Sequence, residues 1–298
     1  MHTDELIIFK IMVAAGGIDY SYKTLNSLML FVFPMGLLKK AGSTLSLASL
    51  ITTMSCTNLN VQSSPEDVPE KYAVLISGQT EERHALNMTL VYNFLLDNGY
   101  NEKNIYVIDG KGQDRIYCYP VNASATVDNV RLAFNSLESK LDKNDSLFVY
   151  VSDHGSRTEI SEGAVLSTIT TNDGSVLDQR KFEDFIEKLN YGLGIFLFDQ
   201  CYSGGFAKET GHGNNVSIAS ASADESAYSG GIHNSFTAYF IKSFVFSVDS
   251  DRNLDGNVSI SEAFDYAATN HSYSARGKQN PFISTELDPG TIFFFDKE

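Results

Sequence analysis

The chain is short of basic residues, of cysteine and of long apolar runs. It has 22 Lys and Arg against 37 Asp and Glu, a formal net charge of −15. Affinity for nucleic acid comes largely from Lys and Arg neutralising phosphates, so this balance speaks against a nucleic-acid binder. It speaks equally against a polybasic binder of membrane surfaces. Three cysteines cannot staple a disulfide scaffold. No phosphate-cradling glycine loop and no internal repeat occurs. What is present is 43% hydrophobic residues over 298 positions, enough for a substantial core.

The N-terminus departs from the rest. Leu25 to Leu38 is apolar but short and interrupted by Pro34, and a bilayer span needs about 20 continuous apolar residues. If synthesis starts at Met35, Lys39-Lys40 forms a positive n-region and Leu45 to Ile51 lies in an apolar h-region. Thr53-Met54-Ser55-Cys56 is then a cleavage site loosely similar to a bacterial lipobox. Residues 1–56 are thus expected to be an export leader, with the product periplasmic, secreted or at the cell surface and a lipid anchor at Cys56. An uncleaved apolar anchor and a wrongly assigned start are the alternatives. Residues 57–70 are polar and aperiodic, a linker, and 71–298 make one folded domain.

Four runs are apolar almost without alternation: Tyr72 to Ser77, Asn104 to Ile108, Leu147 to Ser152 and Ile195 to Asp199. Strands covered on both faces look like this and belong to parallel sheets. Between them Met88, Val91, Phe94 and Leu95 have helical spacing. So do Val127, Val130, Phe134, Leu137 and Leu141 behind a capping Thr126, and Phe182, Phe185, Ile186 and Leu189. The alternation predicts an α/β fold, a three-layer α/β/α sandwich on a mostly parallel sheet.

In such sheets the chemistry collects beyond the carboxyl ends of the strands. Asp153-His154-Gly155-Ser156 follows one predicted strand, and Gln200-Cys201-Tyr202-Ser203-Gly204-Gly205 follows another. If those strands are parallel neighbours, His154 and Cys201 share one rim. A Cys nucleophile needs a base to take its proton and return it to the leaving amine. Acyl transfer also needs donors for the oxyanion, and the backbone N–H groups of Gly155 and Cys201 are candidates. Taken singly, each residue reads as an ordinary turn or a buried hydrophobe. His212, His233 and His271 read as surface residues, with no metal spacing between them.

Taken in order, Tyr72-Ala73-Val74-Leu75-Ile76-Ser77-Gly78, Arg83-His84, Ser152-Asp153-His154-Gly155-Ser156, Asp199-Gln200-Cys201-Tyr202-Ser203-Gly204 and Glu225-Ser226-Ala227-Tyr228 resemble the legumain family of cysteine peptidases, which have a caspase-like fold. The resemblance spans roughly residues 71–240. It implies His154 as base, Cys201 as nucleophile, and a substrate pocket lined by Arg83, His84, Asp199 and Ser226. It also implies cleavage after Asn or Asp. The pocket chemistry itself leaves choices open: Arg83 suits an amide or carboxylate, Asp199 suits a basic side chain, and the two charges could instead pair. Where the family places Asn two positions before the Arg, this chain has Glu81.

Asp251 to Glu262 matches the EF-hand loop position by position. Asp251, Asn253, Asp255 and a bidentate Glu262 offer side-chain oxygens, Asn257 its carbonyl, and Ser259 acts directly or through water. Gly256 allows the sharp turn, and helical patterns flank the loop. An Asx-rich turn without metal is the plainer reading. The sequence thus predicts a cysteine endopeptidase acting on peptides or proteins, with Ca2+ and no organic cofactor. Its rivals are a transpeptidase or transamidase using the same acyl-enzyme, and a catalytically silent calcium-stabilised binding module displayed on a membrane.

Overall fold

Lys71–Ser77 forms strand β1, six of its seven residues fully enclosed. In this computed structural model the described residues are 68–78, 81–112, 119–160, 163–229 and 235–294. The leader, Met35, Cys56, Cys118 and His233 lie outside them. From β1 the chain runs through helix α1 (Glu82–Asp97) to β2 (Ile105–Asp109), then helix α2 (Val127–Leu137) and β3 (Ser146–Ser152). A small antiparallel sheet of β4 (Gly155–Glu159), β5 (Val165–Thr170) and β6 (Val176–Asp178) follows. Helix α3 (Gln179–Ile186), β7 (Leu193–Asp199), helix α4 (Gly204–Thr210) and β8 (Asn215–Ala219) come next. Helices α5 (Phe236–Val245) and α6 (Ile260–Asn270) and strand β9 (Phe282–Thr285) complete the domain.

The main sheet has the order β2-β1-β3-β7-β8-β9, parallel except for β9 at one edge. The four apolar runs of the sequence are its strands β2, β1, β3 and β7. Both faces of these strands are covered, which is why they show no polar alternation. Ala73, Leu75, Phe148, Tyr150, Ile195 and Leu197 pack under α1, α5 and α6. Val74, Ile76, Val149, Val151, Phe196 and Phe198 pack under α2, α3 and α4. On this second side Phe182 stands edge-on to Phe134, Phe198 and Phe206 at centroid distances of 5.6, 5.6 and 5.7 Å. Burying each such side chain contributes about 1.5–3 kcal/mol. The result is a three-layer α/β/α sandwich of caspase-like kind.

The helices start where their side chains satisfy the first backbone amides. Thr126 accepts from the Asn129 N–H, and Asp178 from those of Arg180 and Lys181. Ser235 caps α5, and Ser259 with Glu262 makes a reciprocal capping box on α6. His271, expected at the surface, is fully buried: it lies at the end of α6, with Nδ1 3.0 Å from Ser274 Oγ and its ring beside Tyr239 and Tyr273. His212 is exposed and faces Glu183. No described helix is long and apolar enough to cross a membrane.

Candidate active site

Strands β3 and β7 pair in parallel, with Ser152 opposite Asp199 at their carboxyl ends. His154 and Cys201 therefore leave the same rim, each two residues past that last pair. They line one pocket with Arg83, His84, Asn87 and Asp199, among others. The pocket encloses about 230 Å³.

Cys201 is half-buried, and its Sγ lies 3.7 Å from the Ala227 carbonyl oxygen. The following residue, Tyr202, has φ 60°, an uncommon left-handed conformation for a side chain of that size. Its N–H donates to the Glu225 carbonyl at 2.7 Å, which ties the turn after the cysteine to the segment carrying Ser226 and Ala227. Gly155 backs directly onto Cys201. A Cβ built on it would lie 1.8 Å from the Cys201 carbonyl oxygen, so only glycine fits there.

The imidazole of His154 is held on its outer side by two charged groups. Glu81 Oε1 lies 2.8 Å from Nε2. Arg83 Nη2 lies 2.9 Å from Nε2 and 3.2 Å from Nδ1, while its Nε donates to Glu81 Oε2 at 2.9 Å. The carboxylate favours a proton on Nε2, whereas the guanidinium, which can only donate, favours a lone pair there, so the two neighbours pull the tautomer in opposite directions. The contact with His154 is also the main reason the Glu81 carboxyl is held below its ordinary range.

Behind His154 lies a buried carboxyl. Asp153 accepts the Gly78 N–H at 2.8 Å on Oδ2 and the His154 N–H at 2.6 Å on Oδ1. A side chain at position 78 would collide with Asp153 Oδ2, at 2.2 Å. Burial raises the Asp153 pKa from 3.8 to about 7, against the lowering effect of those two N–H donors. His84 is buried too, its Nδ1 3.0 Å from Ser152 Oγ, and burial lowers its pKa from 6.5 to about 4. It is a neutral imidazole at pH 7.

The choice left open between Arg83 and Asp199 resolves in favour of separate partners. Arg83 turns to Glu81 and His154, whereas Asp199 Oδ2 accepts from the Thr237 hydroxyl at 2.6 Å. Thr237 in turn meets the Tyr150 hydroxyl at 3.1 Å. Ser226 is not among the pocket-lining residues; Ala227, Tyr228 and Ser229 are. The sequence reading missed the role of Glu81 as partner of His154, and its signal was the acidic residue at the family's Asn position. It also missed Gln200, 1% exposed beside Cys201 with neither amide atom hydrogen-bonded among the described residues.

A second site candidate lies away from this rim, in the loop 251–262. Leu254 and Gly256 have positive φ, 59° and 87°. Asp251 Oδ2 accepts the Gly256 N–H at 2.9 Å, Asn253 Oδ1 that of Asp255, and Asp255 Oδ1 that of Asn257. Glu262 is buried across the loop's base, accepting from Arg252 and Asn253 on Oε1 and from Ser259 on Oε2. Burial alone would raise its pKa, but these donors hold it below the ordinary value. Val258 packs into the core, and Ser259 bridges to Phe293.

No curated protein matches the chain. The model of the peptidase C13 family matches residues 125–286, more than half of the chain and including both His154 and Cys201. That span covers β3, β7 and the rim they share, together with the loop 251–262. A mostly parallel sheet clothed by helices and a family match over its strands β3 to β9 lead to one conclusion: the chain belongs to the peptidase C13 family, the legumain family, and is a cysteine-type endopeptidase acting on peptide or protein substrates.

Proposed function

We propose that Cys201 and His154 form the catalytic dyad and that cleavage follows Asn or Asp. The observation that carries this is the parallel β3–β7 pair, which delivers both residues to one pocket. The Cys201 thiol gives its proton to His154, and the thiolate sulfur attacks the scissile carbonyl carbon. The backbone N–H groups of Gly155 and Cys201 receive the oxyanion. As the C–N bond breaks, His154 returns the proton to the leaving amine, and a thioester remains on Cys201. His154 then takes a proton from water; the hydroxide oxygen attacks the thioester, and the acid product leaves as the thiol is restored.

The pocket suits a carboxamide. Arg83 offers donors to its oxygen, and Asp199 can accept from its NH2 group. An Asp side chain satisfies Arg83 but faces Asp199 as a like charge, so Asn is the better substrate at neutral pH.

The loop 251–262 is read as a calcium site. Its donor set is all oxygen, with glycine at the turn and an acidic residue at the closing position, as a hard cation requires. Asp251, Asn253, Asp255 and Glu262 would hold the ion through side-chain oxygens, Asn257 through its carbonyl, and Ser259 directly or by way of water. The bound ion would offset the mutual repulsion of three acids and fix the base of α6. The composition of residues 1–56 supports export, with the peptidase domain attached through the N-terminus.

The test is a fluorogenic peptide library offered to the full chain and to Cys201→Ala, with and without calcium and with added amine. Cleavage lost in the variant, strongest after Asn, supports the reading. Cleavage that survives Cys201→Ala refutes the nucleophile, and ligated product in place of acid marks a transpeptidase.

A further inference from the structure

Glu81, His84 and His154 each bring a donor atom to within 4.8 Å of the others. Two of these contacts are already specific. Glu81 Oε1 lies 2.8 Å from His154 Nε2, and the His84 and His154 rings meet edge to face at 5.4 Å. His84 is 4% exposed; its Nδ1 is engaged by Ser152, and its Nε2 is buried with no hydrogen-bond partner among the described residues. A buried imidazole nitrogen left unpartnered is costly, and native structures rarely tolerate it without a function.

The catalytic reading gives this nitrogen no task, since His154 alone moves the proton. A metal ion would use it. The Nδ1 contact to buried Ser152 is the outer hydrogen bond that metal-binding histidines ordinarily make, and it fixes the ring orientation. Two imidazoles and one carboxylate form a borderline nitrogen–oxygen set suited to Zn2+ and unlike the all-oxygen calcium loop.

We propose that Glu81, His84 and His154 form a binding site for a Zn2+-class divalent cation that reversibly blocks the enzyme by occupying His154. To bind, the ion must displace Arg83 Nη2 from the His154 imidazole. The block rests on the proposed role of His154 as base; the binding does not.

The experiment uses the full chain carrying Cys201→Ala, in saturating Ca2+ so that the loop 251–262 is taken. Zn2+ is titrated by calorimetry, and Co2+ is used as the optical probe. The expected result is one ion per chain, with binding weakened at least about tenfold by Glu81→Gln and by His84→Gln, because even loss of an outer-shell partner costs 10–100-fold. Absence of binding, or binding unchanged by both substitutions, overturns the site. If His84→Gln does not fold, Glu81→Gln on the exposed rim carries the test. In the wild-type enzyme Zn2+ should inhibit with the same constant and a chelator should restore cleavage. Zn2+ that binds as described while cleavage continues refutes the block and the role of His154 without refuting the site.

Discussion

Ser152 and Asp199 face each other as the last pair of the parallel strands β3 and β7, and His154 and Cys201 each stand two residues beyond them. This register places His154 and Cys201 at one rim although 47 positions separate them in sequence. A shift of one strand against the other would separate them by a full strand step, about 3.3 Å.

Gly155 holds that arrangement from behind. Because a Cβ there would meet the Cys201 backbone at 1.8 Å, Gly155→Ala must push the two rim segments apart. Displacements of about 1 Å at a reacting group can cost roughly 100-fold in rate. We predict a loss of kcat/KM of that order, measured on a fluorogenic peptide alongside circular dichroism to establish that the sheet is retained.

Glu81 should act through His154. Glu81→Ala removes the acceptor at Nε2, whereas Glu81→Gln keeps an oxygen there and restores a neutral amide like the family's Asn. The expected order of kcat is wild type, then Glu81→Gln, then Glu81→Ala lowest by about tenfold or more, since a misoriented general base forfeits part of a 10²–10⁴-fold contribution. Equal activity of all three variants contradicts a positioning role.

Asp153 and His84 make opposite contributions to stability. The Asp153 carboxyl binds its proton more tightly in the folded state, with a pKa near 7 against 3.8. Its contribution to stability therefore grows as pH falls from about 7 towards 4. His84 is held neutral, with a pKa near 4 against 6.5, so its contribution is full above 6.5 and is lost as pH falls through 4. Asp153→Asn removes only the first effect. Urea unfolding at pH 5 and pH 8 should show wild type losing stability, relative to this variant, on going to pH 8.

The loop 251–262 predicts a thermal signature. A chelator should lower the wild-type Tm and added calcium should restore it, by the linkage of binding to folding. Glu262→Gln loses a charged ligand yet keeps an acceptor for the Ser259 N–H of the capping box. Its Tm should respond little to either treatment. An unchanged wild-type Tm in chelator contradicts the calcium assignment.

The parts of the fold legible in the sequence are those where one physical demand dominates. β1, β2, β3 and β7 are enclosed on both faces and so are nearly unbroken apolar runs. β8 is also buried, but Asn215 and Ser217 interrupt it: Asn215 donates to the Thr210 carbonyl, and Ser217 meets the Thr210 hydroxyl, bonds that only the fold supplies. The small sheet escaped notice because β4 is Gly155-Ser156-Arg157-Thr158-Glu159, mostly exposed and without a period. β9 is a half-buried edge of four residues. At the site, the order of motifs pointed to His154 and Cys201, and glycine's small size to Gly155. The engagement of His154 with Glu81, and of Asp199 with Thr237, depends on where α1 and α5 begin and has no counterpart in local sequence.

The proposed mechanism stands on the Cys201 sulfur forming the acyl-enzyme. It is tested most directly by treating the full chain with an irreversible peptidyl acyloxymethyl ketone bearing Asn or Asp next to the reactive carbonyl, followed by intact mass spectrometry and peptide mapping. One label per chain is expected, on Cys201, with cleavage lost in proportion, and none of it on Cys56 or Cys118. Full loss of cleavage with the label on another residue, or cleavage that continues with Cys201 fully labelled, would contradict it.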